Sequence, residues 1–409
     1  MEFKDRILTQ SIARAVKTFP AVVMTGPRQS GKTTLLKKMF SDSHRMVNLE
    51  DPDIRIRAKE DPRGFLYQYH PPVMIDEIQY VPELLSYVKT QIDDDRQPGQ
   101  WLITGSQSFV LMDKVTQTLA GRAAILSLLP FTVSERINNA SQALNVSTWI
   151  KNLNIGINAS VSVSLEELLL RGFYPEIATN PEVDRTLWCG SYITTYLERD
   201  IRNLANIGDF HQFERFLLSC MIRTGQILNL SEIARDVGVS VPTARRWLSL
   251  LESGQQIYLL YPYYRNLGKR IVKSPKIYVM DTALCSYLLG LNDPQTVLSS
   301  PSLGSLFETM VVCDFWKRFL HFGEKPAMYY IRSRDGLEID LLIEFGNKLH
   351  LFEIKSSMTI TSRHASSVKR LADELGSSVA MAAIISCSRD NFMVVSNIAN
   401  FGWQNILGI

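Results

Sequence analysis

The sequence lacks the cysteine and histidine patterns of disulfide scaffolds and zinc sites. Its five cysteines are isolated and form no CxxC pair: Cys189, Cys220, Cys285, Cys313 and Cys387. An odd number of thiols spread so thinly argues against a disulfide framework and favours a reducing compartment. The six histidines are also isolated and indicate no metal cluster.

Long apolar runs are absent as well. No stretch approaches the roughly 20 apolar residues that a helix needs to span a bilayer. The N-terminal segment MEFKDRILTQSIARAV does not contain the uninterrupted apolar core of a signal peptide. We therefore expect a cytoplasmic protein without a membrane partner.

Neither positive nor negative charge is in large excess. Lys and Arg number 44 against 41 Asp and Glu, which gives a net charge of +3 and a pI near 8.5. Any nucleic-acid site must therefore come from local clustering of cations. The chain has 409 residues, 45% of them apolar and 21% charged, so it is typical of globular proteins and too long for one ordinary core.

Strand-like apolar runs recur in the first third of the chain, with helical stretches between them: 21–25, 45–49, 73–75, 101–104 and 124–128. Strands that alternate with helices predict an α/β fold with a mostly parallel sheet covered on both faces.

A phosphate-binding motif follows the first of these strands. Residues 26–33, GPRQSGKT, match GxxxxGK[ST] and precede a helical stretch. The glycines allow backbone N–H groups to surround phosphate oxygens, and the helix N-terminus favours an anion. We expect Lys32 to reach the β- and γ-phosphates of ATP and Thr33 to bind Mg²⁺. The predicted nucleotide contacts are Gly26, Pro27, Arg28, Gln29, Ser30, Gly31, Lys32, Thr33 and Thr34.

A second motif, VMIDE, places two acids at the end of an apolar strand about forty residues downstream. In that order and context, Asp76 is expected to hold the Mg²⁺ shell and Glu77 to orient and polarise the attacking water.

The order of these and later motifs resembles a known family. The segments GPRQSGKTTLL, MIDEIQ, LITGSQ, LAGRAAILSLLPF, GFYPE and TYLERDI resemble AAA+ ATPases of archaea and many bacteria that carry a C-terminal domain of unknown function. The resemblance covers nearly the whole chain. It implies an AAA+ core and a polar sensor at the end of the fourth strand, Ser106 first and Gln107 second. It also implies an arginine finger at Arg122. A plain turn and a surface salt bridge remain the alternatives for these positions.

Residues 229–251 have the pattern of a helix-turn-helix, with Ser231 and Ser240 as helix caps and Gly238 in the turn. A predicted hairpin follows, so we expect a winged helix. Residues 262–280 contain no acid. The cations of this stretch are suited to contact a DNA backbone: Arg265, Lys269, Arg270, Lys273 and Lys276. Arg245 and Arg246 approach DNA only if the second helix of the helix-turn-helix is exposed. A protein-binding module and a structural spacer are the alternatives.

The last third contains an acidic hairpin pattern. Asp340 lies on one predicted strand, and Glu353 and Lys355 project to the same face of the next, after a Gly-Asn turn. Together with Glu308 on an upstream helix, these residues resemble the metal acids and lysine of the PD-(D/E)XK nuclease superfamily. That resemblance implies a second Mg²⁺ site. A salt-bridged hairpin without metal is the alternative.

We therefore predict four domains: an AAA+ P-loop core over 1–135, a helical lid or linker over 136–208, a winged helix over 209–280, and an α/β restriction-endonuclease-like domain over 281–409. The preferred function is ATP hydrolysis that drives action on DNA, such as remodelling or translocation, by a homo-oligomer in which a ring is one form. The alternatives are an ATP-gated nuclease and a nucleotide switch that binds a protein partner.

Overall fold

The computed structural model describes residues 3–106, 115, 117–159, 161–196, 210–263, 273–332 and 336–409. Four residues singled out above lie outside the described residues: Gln107, Arg265, Lys269 and Arg270. Among the described helices, none combines the length and the apolar character that crossing a membrane requires.

The N-terminal sheet is parallel and has five strands in the order β2-β3-β4-β1-β5. Its strands are β1 (Ala21–Thr25), β2 (Arg45–Asn48), β3 (Val73–Asp76), β4 (Trp101–Thr104) and β5 (Ala123–Ser127). The three central strands are buried along their whole length. Helices cover both faces of the sheet, and strands buried on both faces have continuous apolar sequences, as these three do.

The helices that flank this sheet are α1 (Leu8–Ala15), α2 (Lys32–Phe40), α3 (Pro52–Glu60), α4 (Pro62–Gln68) and α5 (Leu84–Asp94). Successive strand residues belong to opposite cores. Val22 packs with Leu8 and Leu35 on one face, and Val23 packs with Leu85 and Val88 on the other. This alternation is the period of two expected of an extended strand. The α/β class with a parallel P-loop-like sheet is confirmed.

A helical segment follows, consisting of α6 (Val133–Arg136), α7 (Val146–Asn152), α8 (Leu165–Arg171), α9 (Pro175–Thr179) and α10 (Arg185–Tyr196). Several of these short helices begin at a polar cap, as Thr132, Asn145 and Ser164 accept hydrogen bonds from backbone N–H groups of the first turn.

The next part, which we call the 210–279 unit, has the order helix, strand, helix, helix, strand, strand. Its elements are α11 (Phe210–Ile222), β6 (Gln226–Ile227), α12 (Leu230–Val237), α13 (Val241–Ser253), β7 (Ile257–Leu260) and β8 (Lys276–Val279). The strands form an antiparallel sheet with β8 in the centre. Asn229, rather than the predicted Ser231, caps α12, because Ser231 lies inside the helix. Ser240 caps α13, and Gly238 has the left-handed φ of +82° that the turn requires.

The C-terminal part is a six-stranded mixed sheet in the order β13-β14-β12-β11-β10-β9. Its strands are β9 (Met328–Arg332), β10 (Glu338–Phe345), β11 (Lys348–Lys355), β12 (Val379–Ser386), β13 (Phe392–Val395) and β14 (Ile398–Gly402). The helices of this part are α14 (Thr282–Leu288), α15 (Pro294–Ser299), α16 (Leu303–His321), α17 (Ser366–Leu375) and α18 (Trp403–Leu407). The predicted hairpin is confirmed, since β10 and β11 pair antiparallel across Gly346 and Asn347.

The long helix α16 connects the parts of the molecule. It packs on the C-terminal sheet, on the 210–279 unit and on the edge of the N-terminal sheet. Asp314 accepts a hydrogen bond from Val133 N–H at 2.6 Å, and His321 Nε2 accepts one from Leu129 N–H at 3.1 Å. The C-terminal part is therefore anchored directly to the end of β5.

Candidate functional site

The phosphate loop lies between β1 and α2, where the sequence predicts it. Gly26 has φ +150°, and a Cβ atom there would lie 2.1 Å from the carbonyl oxygen of Leu128. Gly31 has φ +93° and precedes α2 without a side-chain cap. Both positions therefore favour glycine, and the first backbone N–H groups of α2 are available for an anion.

Lys32 is held inside the loop rather than in solvent. Its side chain is buried, and its ammonium donates hydrogen bonds to the carbonyl oxygens of Gly26 at 3.1 Å and Pro27 at 2.9 Å. The positive charge therefore lies inside the curve of the loop, within reach of any phosphate that the loop binds.

Thr33 and Asp76 meet across the loop. The Thr33 hydroxyl lies 3.0 Å from both carboxylate oxygens of Asp76. These are hard oxygen donors of the type that Mg²⁺ prefers, and Mg²⁺ is usually held by one or two such groups together with substrate phosphates. The residues present therefore fit Mg²⁺ bound with a nucleotide.

Thr104, at the end of β4, is a contact that sequence reasoning missed. Its hydroxyl donates to Asp76 Oδ1 and accepts from the backbone N–H of Glu77 at 3.3 Å. The hydroxyl thus fixes both acids of the second motif. A polar residue was predicted at this strand end, but at Ser106, which is buried and outside the cleft lining. The available signal in the sequence was that Thr104 is the polar residue that ends the apolar strand β4.

Glu77 leaves the strand with a left-handed φ of +58° and borders the cleft. Gln79 donates a hydrogen bond to its carboxylate. The strained backbone places the Glu77 side chain beside the loop instead of in line with the strand, and such conformations are frequent at functional sites.

The cleft beside the loop has a volume of about 430 Å³. Its lining residues come from the loop, the second motif and α10: Arg28, Gln29, Gly31, Lys32, Thr33, Thr34, Glu77, Tyr192 and Thr195. Gly26, Pro27 and Ser30, also predicted as nucleotide contacts, form the remaining backbone of the loop. Tyr192 and Thr195 were not predicted as site residues, although Thr195 is the first residue of the TYLERDI segment used for the resemblance and Tyr192 lies three residues before it.

Tyr192 links the cleft to the 210–279 unit. Its hydroxyl hydrogen-bonds to the Tyr174 hydroxyl at 2.7 Å and accepts from Gln256 Nε2 at 3.2 Å, and its ring stacks on Trp188. Gln256 immediately precedes β7. A buried polar chain therefore runs from the cleft to the antiparallel sheet.

Arg122 does not border the cleft of its own chain. Its guanidinium binds the Asp93 carboxylate on α5 through Nε at 2.5 Å and Nη2 at 3.0 Å. This cation lowers the pKa of Asp93. The contact corresponds to the surface salt bridge left open above. Any role of Arg122 in catalysis therefore requires the cleft of another chain.

The candidate DNA residues are not all accessible. Arg245, Arg246 and Lys273 are exposed. Lys276, however, is only 2% exposed, because it lies on the central strand of its sheet and points toward the C-terminal sheet. The prediction that Lys276 contacts a DNA backbone is wrong for this reason.

Lys276 instead lies at the centre of the predicted carboxylate site. Its ammonium is 2.9 Å from Glu308, 2.9 Å from Glu338 and 3.1 Å from Asp340. Tyr278 also donates to Glu308 at 2.6 Å. Burial lowers the pKa of Lys276, but Tyr278 and the three acids outweigh it, and the pKa stands well above its ordinary value.

The other predicted members of this cluster also converge. The ammonium of Lys355 is 2.6 Å from Glu353, and Asp340 accepts a hydrogen bond from Ile354 N–H at 2.9 Å. Burial and the Asp340 carboxylate raise the pKa of Glu308 to about 7 and that of Glu353 to about 8. Within the described part of the chain, no group of three or more acidic, histidine or cysteine side chains has an arrangement suited to a metal ion.

Three family models match successive parts of the chain. Residues 18–137 match an AAA domain, 162–295 match a domain of unknown function (DUF8612), and 303–403 match another domain of unknown function (DUF4143). Two uncharacterised proteins, from Mycobacterium bovis and Mycobacterium tuberculosis, are each 29% identical over 359 residues, which is 88% of this chain and 75% of theirs.

Two solved structures are similar in part. A Walker-type ATPase of Pyrococcus abyssi has a TM-score of 0.39 at 16% identity, over 69% of this chain and 94% of that one. A RuvB variant of Thermotoga maritima has a TM-score of 0.31 at 17% identity, over 61% of this chain and 88% of that one. The match of residues 18–137 to an AAA domain, together with the geometry of the cleft that these residues build, supports an AAA+ ATPase of the Walker type.

Proposed function

We propose that this protein hydrolyses ATP with Mg²⁺ and couples the cycle to action on DNA. The observation that carries the first part is that Lys32, Thr33 and Glu77 line one cleft, where Thr33 also hydrogen-bonds to Asp76. Lys32 neutralises charge on the β- and γ-phosphates, while Thr33 and Asp76 hold the metal. Bound Mg²⁺ would supply charge stabilisation at the phosphate oxygens.

Within this proposal Glu77 orients the attacking water and accepts its proton. Thr104 fixes the direction of the Asp76 carboxylate and the backbone at Glu77, so it is a positioning residue. The Tyr174–Tyr192–Gln256 chain provides a physical path by which nucleotide in the cleft alters the 210–279 unit.

For DNA, we propose that the 210–279 unit is a winged helix. Its element order and its antiparallel sheet support this assignment. The proposed phosphate contacts are Arg245, Arg246 and Lys273, with Arg265, Lys269 and Arg270 from outside the described residues. The chains are proposed to form a homo-oligomer, with residues 136–208 as a lid and Arg122 acting on a neighbour's nucleotide.

The test is the steady-state ATPase rate of the full chain with no DNA and with single-stranded, duplex and branched DNA. We expect Mg²⁺-dependent turnover that at least one DNA form raises. Turnover without any DNA binding would instead favour the nucleotide switch with a protein partner. No hydrolysis by an intact, nucleotide-binding protein would refute the ATPase assignment itself.

The C-terminal sheet is proposed to share the restriction-endonuclease-like fold. Its antiparallel hairpin with Asp340, Glu353 and Lys355 on one side supports the likeness. The ATP-gated nuclease is not favoured as a function, because the ammonium of Lys276 lies among the acids that a metal would need.

A further inference from the structure

The carboxylate cluster receives its central cation from a different part of the chain. Glu308 comes from α16, and Glu338 and Asp340 come from β10, yet all three bind the ammonium of Lys276 on β8. The ammonium donates charge-assisted hydrogen bonds to Glu308 at 2.9 Å and to Asp340 at 3.1 Å. It also forms an ion pair with Glu338 at 2.9 Å.

The backbone of Lys276 is held in the centre of the three-stranded sheet. Its backbone pairs with Ile227 on one side and Leu260 on the other. The segment after β7 is in turn bonded to the C-terminal sheet, because Tyr263 N–H donates to Tyr330 O at 2.9 Å and Tyr330 N–H donates to Tyr261 O at 3.1 Å. The Tyr330 ring also lies 5.7 Å from the Lys276 ammonium. The lysine is therefore a fixed part of the interface.

The cluster contains almost as many cations as acids without a metal ion. Four acids, Glu308, Glu338, Asp340 and Glu353, face three cations, Lys276, Lys355 and Arg332. The raised pKa values of Glu308 and Glu353 reduce the negative charge of the cluster further. Magnesium binds oxygen ligands at about 2.0–2.1 Å in an octahedral arrangement. Such an ion would occupy the space of the ammonium, and it would be repelled by the adjacent positive charge.

We propose that the ammonium of Lys276 is the resident cation of the C-terminal carboxylate cluster. It takes the place that a divalent metal has in an active nuclease of the predicted type. The cluster then fastens the 210–279 unit to the C-terminal sheet, and the C-terminal part does not cleave nucleic acid. The cluster shares no residue with the lining of the nucleotide cleft, so this inference stands or falls independently of ATP hydrolysis.

The inference predicts that removing the ammonium creates a metal site. In Lys276→Met the acids lose their cation but keep their backbone positions on α16 and β10, and carboxylates at this separation repel one another without a cation. Their present arrangement does not suit a metal ion, but without the ammonium their side chains are free to turn toward one. The variant should melt at a lower temperature than the parent, and Mn²⁺ should restore part of the loss. The parent melting temperature should not respond to Mn²⁺.

The measurements are thermal melts and Mn²⁺ titrations followed by electron paramagnetic resonance. They use nucleotide-free full-length protein in the Lys32→Ala background, which reduces metal carried with nucleotide. Lys276→Met should gain about one Mn²⁺ site per chain, and the matched control Lys276→Met with Asp340→Asn should lose it.

Two results would overturn the inference. One is a Mn²⁺ site in the parent that Asp340→Asn removes, because the metal would then coexist with the lysine. The other is a folded Lys276→Met that gains no Mn²⁺ site. If Lys276→Met does not fold, the inference is tested by comparing Mn²⁺ binding of the parent with that of Asp340→Asn. Metal-dependent cleavage of linear or circular DNA by the parent, abolished by Lys355→Ala, would also contradict it.

Discussion

The hydroxyl of Thr104 illustrates how single side chains position the nucleotide cleft. It donates to Asp76 and accepts from the backbone N–H of Glu77, so one oxygen orients both acids of the second motif. Arg6 has a similar role on the other side of the loop, where it donates to the carbonyl oxygen of Ser30 at 2.9 Å and binds Glu135 at 3.1 Å. Neither residue belongs to a phosphate-binding motif.

Glu77 and Lys32 should have separable effects. Glu77→Gln keeps the shape and hydrogen bonding of the side chain but removes the base, so turnover should fall by about 10²- to 10⁴-fold with nucleotide affinity retained. Lys32→Ala should instead weaken nucleotide binding, because it removes charge from the phosphate loop. Fluorescent nucleotide titration and single-turnover hydrolysis distinguish the two. Unchanged turnover in Glu77→Gln would remove that residue from the catalytic role.

Thr104→Val should lower turnover while leaving ATP affinity within a few-fold. The substitution preserves shape but removes both hydrogen bonds of Thr104, so the Asp76 carboxylate keeps Thr33 as its remaining hydroxyl partner and is held less firmly. Thr90→Val on α5 is a matched control, because its hydroxyl only bonds the carbonyl oxygen of Ser86 on the protein surface. Raising the Mg²⁺ concentration should recover part of the Thr104→Val rate. Equal rates in both variants would show that Thr104 has no positioning role.

Arg6→Ala should destabilise the protein, since it leaves the Glu135 carboxylate buried without its main partner. Loss of one partner of a buried ion pair costs about 3–5 kcal/mol. Although burial raises the pKa of Glu135, the charge of Arg6 and the contact with His321 outweigh it and lower the pKa well below its ordinary value. The stabilisation is therefore present above the unfolded-state pKa and is lost as the pH falls through the acidic range.

Thermal melts between neutral and acidic pH test this expectation, with the exposed Lys17→Ala as control. The difference in melting temperature between Arg6→Ala and the parent should become smaller as the pH falls. If this difference does not depend on pH, Arg6 stabilises the protein through packing alone.

At the level of elements, the proposed contacts with a polyanion are the exposed Arg245 and Arg246 on α13 and the cations that follow β7. Lys269→Ala, Arg270→Ala and Lys273→Ala combined should weaken DNA binding for every sequence. The slope of log affinity against log salt should become shallower by roughly one unit for each cation that no longer neutralises a phosphate. Fluorescence anisotropy at several salt concentrations measures both quantities.

A variant with the same change of charge provides the control. Lys325, Lys348 and Lys369 are exposed and lie in the C-terminal part, so their triple replacement by Ala should leave the salt slope unchanged. If the two triple variants behave alike, binding follows net charge and the proposed wing does not bind the DNA backbone.

At the level of the whole molecule, Arg122 can act on nucleotide only between chains, because its guanidinium lies outside its own cleft. An equimolar mixture of Arg122→Ala and Lys32→Ala proteins should therefore regain part of the ATPase activity that each lacks. Asp93→Ala is the matched control: it breaks the ion pair but keeps the arginine, so it should remain active. A fully active monomer would exclude an arginine finger in trans.

The sequence by itself determined the features that depend on neighbours along the chain. The phosphate loop, the acids after β3, the caps at Ser240 and Gly238 and the hairpin at Gly346 follow from local backbone preferences and strand alternation. These preferences act over a few residues, so the pattern of residue types is enough to reveal them.

Only the tertiary structure decided which side chains meet across long separations. Thr104 bonds Asp76, Arg6 bonds Glu135, and Lys276 bonds Asp340 over 28, 129 and 64 positions. Lys276 is the clearest case, because a basic residue in a basic stretch favours solvent and phosphate contact. Its position on a central strand turns it toward the acids of another sheet instead. The energy of a buried charge depends on every group around it, and those groups are assembled only when the chain has folded.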